Sequence, residues 1–154
     1  MSEVKAKNTI TFKVEGTCPS HSRTDVLARD TELTIDEPAE RGGTNLGPSP
    51  TETMMGSLAG CTNVIAHKCA HKHGVDFQSF SVEIKSSFDR RGVLLQEEVD
   101  LPFPEIDVII DCTTDANEAT MELVKADLGK FCPVAKVFRQ AGAKVNDIWN
   151  ISRP

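Results

Sequence analysis

Five cysteines and one spaced pair of histidines are the groups in this chain with chemistry to offer. The cysteines are Cys18, Cys61, Cys69, Cys112 and Cys132. Their number is odd, the spacings are wide and no CxxC occurs, so no disulfide framework is indicated. Free cysteine usually serves as a small buried hydrophobe, and Cys18, Cys69 and Cys112 take that reading. Cys132 stands directly before Pro133, with Val134-Ala135-Lys136-Val137 continuing in helical fashion. That context predicts an N-cap, where the positive end of the helix dipole favours thiolate. Cysteine is a poor N-cap by propensity, so its presence there points to chemistry. His67 and His71 lie one helical turn apart, the spacing two imidazoles need to share an ion. No Glu completes an H-E-x-x-H pattern, and a solvated helix face is the reading; Cys18 with His21 is a weaker pair. No metal ligand set is expected.

Cys61 depends on the element that carries it. Ser49-Pro50-Thr51-Glu52 signals a helix start: Ser49 as N-cap, Pro50 at the first position, Glu52 closing a capping box. The helix should run to about His73, with Gly74 just beyond its end. On a wheel of about 100° per residue, Met54, Leu58, Ile65 and Cys69 fall on the same side as Cys61, which therefore reads as lying inside the apolar stripe. Gly56, Ala59 and Gly60 permit close approach of another backbone. A thiol in this position is either a packed core residue or a nucleophile in apolar surroundings.

The remaining elements frame that helix. Residues 8–15 alternate, with Ile10, Phe12 and Val14 on one face, and predict a strand; 23–28 and 32–36 predict two more. The stretch from Pro38 to Pro50 is rich in Gly and Pro and reads as a fixed loop. Strands are expected over 77–90, 106–112 and 144–151. Residues 91–105 read as an extended excursion, and 115–129 and 132–142 as helices. The elements do not alternate as βαβ units, so the fold class is α+β.

Composition narrows the function. The 154 residues suit one domain, so 1–154 is read as a single unit. Net charge is −6 and the pI near 5.2, and no basic run with interleaved aromatics occurs, which disfavours nucleic acid. The first sixteen residues lack the apolar core of a leader and no apolar run of ~18 residues occurs. A cytoplasmic protein without membrane contact is expected.

Two motifs, GGTNLGPSPTETMMGSLAGCT and FCPVAKVF, together with the element order, resemble the OsmC/organic hydroperoxide resistance (Ohr) family over nearly the whole chain. The resemblance implies an OsmC-like fold in which antiparallel sheets wrap around central helices in an intertwined homodimer. It implies a thiol peroxidase acting on organic hydroperoxides and hydrogen peroxide. Cys61 matches the peroxidatic cysteine and Cys132 the resolving one. No cofactor is bound; an external dithiol, often a protein-bound dihydrolipoyl group, completes the cycle. An activating Arg from an early loop, held by a Glu, is matched by Arg23 and by Glu52. In the well-studied peroxidases that acid lies one place after the helix-opening Pro, which is Thr51 here, and this departure suggests a less characterised branch. Glu52 is nine residues before Cys61, about 13.5 Å along a straight helix, so it acts across a dimer or serves only the capping box. The other readings are a non-catalytic small-ligand-binding protein on the same fold and a metal protein using His67 and His71.

Overall fold

The computed structural model describes residues 8–154; residues 1–7, where the segment read as lacking a leader begins, lie outside them. The chain forms two compact units, Met1–Thr53 and Met54–Pro154. Among the described residues three α-helices and two small sheets make it a mixed α+β protein.

The N-terminal unit holds three antiparallel strands in the order β1 (Glu15–Thr17), β2 (Thr24–Ala28), β3 (Thr31–Ile35). Arg29 takes φ 58° at the first place of the two-residue turn joining β2 to β3. The strand expected over residues 8–15 pairs only from Glu15 onward. Ile10, Phe12 and Val14 alternate as read but are exposed. Alternation marks a face to be covered, whereas a strand also needs a ladder partner.

After β3 the backbone is organised by one carboxylate. Asp36 is fully buried and accepts from the N–H groups of Glu37, Thr44 and Leu46 and from the Thr44 hydroxyl at 2.5 Å. These donors hold its carboxyl far below the usual range. The loop closes tightly: a Cβ on Gly43 would sit 1.9 Å from the Glu37 carbonyl oxygen, and one on Gly47 2.0 Å from that of Thr34. The fixed loop read from Gly and Pro density is therefore present, and its organiser is an aspartate.

Helix α1 (Pro50–Lys72) follows. The capping box forms as read: Ser49 N–H donates to Glu52 Oε2 at 2.7 Å, and Glu52 N–H to Ser49 Oγ at 3.3 Å. Gly74, at φ 68°, lies just past the helix end.

In the C-terminal unit β4 (Ser79–Ser86), β5 (Glu105–Thr113) and β6 (Lys144–Ser152) form a second sheet in that order. β4 and β5 are antiparallel, β5 and β6 parallel. The parallel pair is joined by α2 (Glu118–Phe131) and α3 (Pro133–Gln140), a crossover that the reading of non-alternating elements did not contain. A parallel neighbour cannot be reached by a tight turn. Ile106, Val108, Ile110 and Cys112, alternate residues of the central β5, are all buried. The first three meet Leu58 and Ala66 of α1, Leu128 of α2 and Ala135 and Phe138 of α3 in one core.

Residues 87–104 make no strand. Their base is tied by Asp89 N–H to Pro102 O and by stacked Phe88 and Phe103, with ring centroids 5.0 Å apart. Arg91 pairs with both Asp89 and Glu97 and holds the Asp89 carboxyl down to about 2.

Candidate active site

The buried face of α1 is made by Leu58, Thr62, Ala66, Cys69 and Ala70. Its centre lies about a quarter-turn from Cys61. Cys61 is therefore at the margin of the stripe, half-buried, and Met54 is exposed. The helical wheel weighted the large apolar residues and passed over Thr62, Ala66 and Ala70, three of the five buried positions. The marginal place suits a thiol that must meet both a core and a solute.

Cys132 is 1% exposed. It ends α2, its N–H donating to Leu128 O, and caps α3. Its thiol donates to Cys61 Sγ, with the sulfurs 3.4 Å apart. Two residues separated by 71 positions are thus brought into contact. The N-cap placement is as read, but the acidity is reversed. Burial pushes the Cys132 thiol up to about 11, and the Cys61 sulfur adds to that. The N–H groups of Ala135 and Val134 pull the other way. Desolvation wins because the dipole of a two-turn helix offers only a few tenths to about one kcal/mol, less than a thiolate loses on leaving water. Cys132 is the thiol that keeps its proton.

The other cysteines are apart from this pair. Cys69 and Cys112 are buried, and burial raises both thiols. Cys18 is exposed, 3.7 Å from Thr24 Oγ1.

In the N-terminal unit, Arg23 Nε donates to Asp25 Oδ1 at 2.9 Å, and this pairing leads the causes that lower the Asp25 carboxyl. The Glu52 carboxyl is lowered first by the Ser49 backbone N–H and then by the Ser49 side chain. Both candidate activators therefore already have partners within their own unit.

His67 is more than a solvated face. Its Nδ1–H donates to Asn63 O at 2.9 Å, and its ring sits edge-on against Phe77 and Phe80, at centroid distances of 5.3 and 4.8 Å. Among the described residues no group of three or more His, Cys, Asp and Glu side chains can hold a metal ion. No helix among them is long and apolar enough to cross a membrane.

Sequence reasoning missed Asp127. It stands in α2 between Val124 and Leu128, both buried, and is 8% exposed itself. A carboxylate within an apolar stripe was the available signal. Its Oδ2 accepts from Lys72 Nζ at 2.7 Å and from His73 Nε2 at 2.8 Å, both at the end of α1.

A half-buried thiol facing a buried, protonated one at the head of a helix defines a protein with a dithiol site on an α+β frame. Residues 43–146 match the OsmC family, described as OsmC-like protein, and the chain belongs to that family. Solved structures share the fold. An OsmC-like protein from Mycoplasma pneumoniae is 15% identical with a TM-score of 0.76, over 92% of this chain and 97% of that one. An organic hydroperoxide resistance protein OsmC from Legionella pneumophila is 17% identical with a TM-score of 0.63, over 95% and 99%. OhrB of Bacillus subtilis, an organic hydroperoxide resistance protein, is 21% identical with a TM-score of 0.57, over 93% and 98%. No curated protein matches the sequence significantly.

Proposed function

We propose that this chain is a thiol-dependent peroxidase that reduces organic hydroperoxides, and hydrogen peroxide, with Cys61 as nucleophile and Cys132 as resolving thiol. The observation that carries the reading is the 3.4 Å contact between a half-buried Cys61 sulfur and a buried Cys132 sulfur. Fold-sharing proteins described as organic hydroperoxide resistance proteins support it.

The Cys61 thiolate attacks a peroxide oxygen. The O–O bond breaks, the alcohol leaves with a proton from solvent, and Cys61 becomes a sulfenic acid. Cys132 then attacks the Cys61 sulfur. Its proton leaves with the displaced hydroxide as water, and the disulfide forms. The two electrons lost by the thiols are those gained by the peroxide. An external dithiol, of dihydrolipoyl type, returns them by exchange. The sulfurs need to approach by about 1.4 Å to reach the ~2.05 Å of a disulfide.

The working form in this reading is a cytoplasmic homodimer in which the whole chain acts as one OsmC-like domain. Arg23 is the proposed activating cation and Glu52 its proposed orienting acid. For either to act, it must keep or exchange its partner, Asp25 or Ser49.

Intact-mass analysis after one equivalent of cumene hydroperoxide tests the reading on wild type, Cys61→Ser and Cys132→Ser. The expected result is loss of two hydrogens in wild type, one added oxygen on Cys61 in Cys132→Ser, and no reaction in Cys61→Ser. Thiols unchanged by excess peroxide would sink the enzyme and leave a ligand-binding protein, which ligand would stabilise thermally without oxidation.

A further inference from the structure

The two reacting sulfurs ride on different helices, and one charged cluster ties those helices together. Cys61 lies in α1, and Cys132 follows immediately on α2. At the end of α1, Lys72 and His73 both donate to one carboxylate oxygen of Asp127 in α2, at 2.7 and 2.8 Å. The Lys72 ammonium also lies 5.7 Å from the ring centroid of Phe131, the residue before Cys132. Lys72 thus touches α2 at Asp127 and Phe131, one helical turn apart and just ahead of the resolving thiol. The α1 end is itself fixed: His73 N–H donates to the Cys69 and Ala70 carbonyls, and Val75 N–H to Ala70 O.

Apolar packing holds two helices at a distance but tolerates sliding along their axes. A carboxylate with two directional donors does not. Slipping a helix by one residue moves it about 1.5 Å, as large as the approach the sulfurs must make. We propose that Asp127, with Lys72 and His73, is a positioning device that sets the register of α2 on α1 and so the effective concentration of the Cys132 thiol at Cys61. The proposal rests on the dithiol site described above. Lys72 is eleven residues beyond Cys61 on α1, about 16.5 Å along the axis, so the cluster touches neither sulfur and acts through the helices.

The test is the equilibrium P(SH)2 + GSSG → P(S–S) + 2 GSH, with glutathione and its disulfide as probes, measured on wild type, Asp127→Asn, Asp127→Glu and Lys72→Gln. The bond formed is Cys61–Cys132; the protein thiols are oxidised and the glutathione disulfide is reduced. Asp127→Asn is expected to lower the equilibrium constant by about ten- to a hundredfold, given what a 1 Å misplacement does to a reacting pair. Lys72→Gln should lower it less, and Asp127→Glu should recover part of the loss. Ile106→Val in β5 is the control, losing stability without moving the constant. An unchanged constant in folded Asp127→Asn overturns the proposal. Lys72 is more than half exposed, so Lys72→Gln folds even where Asp127→Asn does not, and an unchanged constant there then decides against it. No peroxide enters the measurement, so loss of the peroxidase reading leaves it standing, whereas a wild type that never forms the disulfide ends both.

Discussion

The buried Cys132 thiol makes the protein sensitive to alkali in a way that one substitution removes. Its ionisation is pushed from 9.0 up to about 11 in the folded chain. In the unfolded chain it titrates near its ordinary value. Between these values the unfolded state releases a proton that the folded state keeps. Stability therefore stands in full below about pH 9 and falls as pH rises towards 11. Two pH units at ~1.36 kcal/mol each give a ceiling of about 2.7 kcal/mol. Part of the shift comes from the contact with the Cys61 sulfur and not from burial, so about 2 kcal/mol is expected. The assay is urea unfolding of the reduced protein, followed by Trp149 fluorescence from about pH 8 to pH 11, for wild type and Cys132→Ala. The chain contains one tryptophan and no tyrosine, so the probe is single and no phenol titrates in the window. Cys69 and Cys112 titrate in both proteins and cancel. The stability difference between the two should shrink for wild type by about 2 kcal/mol across the window; parallel curves would refute a Cys132 thiol held neutral by burial.

Three other perturbations have signs set by the structure. Leu58→Ala, at a fully buried position on α1, should cost about 2–5 kcal/mol in urea unfolding. Ser49→Ala removes the cap of α1 and should cost about 1 kcal/mol, whereas Glu52→Gln keeps an acceptor for the Ser49 N–H and should hardly move the melt; a large activity loss in Glu52→Gln at unchanged melting would separate an orienting role from capping. Gly43→Ala and Gly47→Ala drive a Cβ into the backbone oxygens of Glu37 and Thr34, so both should lower the melting temperature far more than Gly56→Ala, whose Cβ meets nothing within 4 Å.

The elements that could be read directly were those whose signals are local. Helix α1 announced its start through Ser49, Pro50 and Glu52 and its end through Gly74, and the helix at Pro133 announced itself through its proline. The thiol pair was legible only through the family resemblance, because nothing local says that residues 71 positions apart touch. Acidity was misread at Cys132 because the dipole is visible in sequence and desolvation is not. The margin at which Cys61 sits was hidden by Thr62, Ala66 and Ala70, small residues that bury a face without looking apolar. Residues 8–14 show the opposite failure, since their alternation is real but a ladder needs a second strand. The Asp127 cluster joins residues 54 and 55 positions apart, beyond any periodic pattern.

The parallel pairing of β5 with β6 has a consequence for biosynthesis. Cys132 lies inside the crossover that joins these strands, and parallel pairing across such a distance closes a long loop before any ladder bond rewards it. Cys61, by contrast, sits in α1, whose backbone hydrogen bonds are all local. During synthesis the chain therefore carries an accessible first thiol well before the second is in place. The two sulfurs meet only when the crossover has folded back onto α1, so a ready-made dithiol marks a chain whose crossover is in place. Chains whose crossover is still open are the ones exposed to mixed disulfides with other thiols.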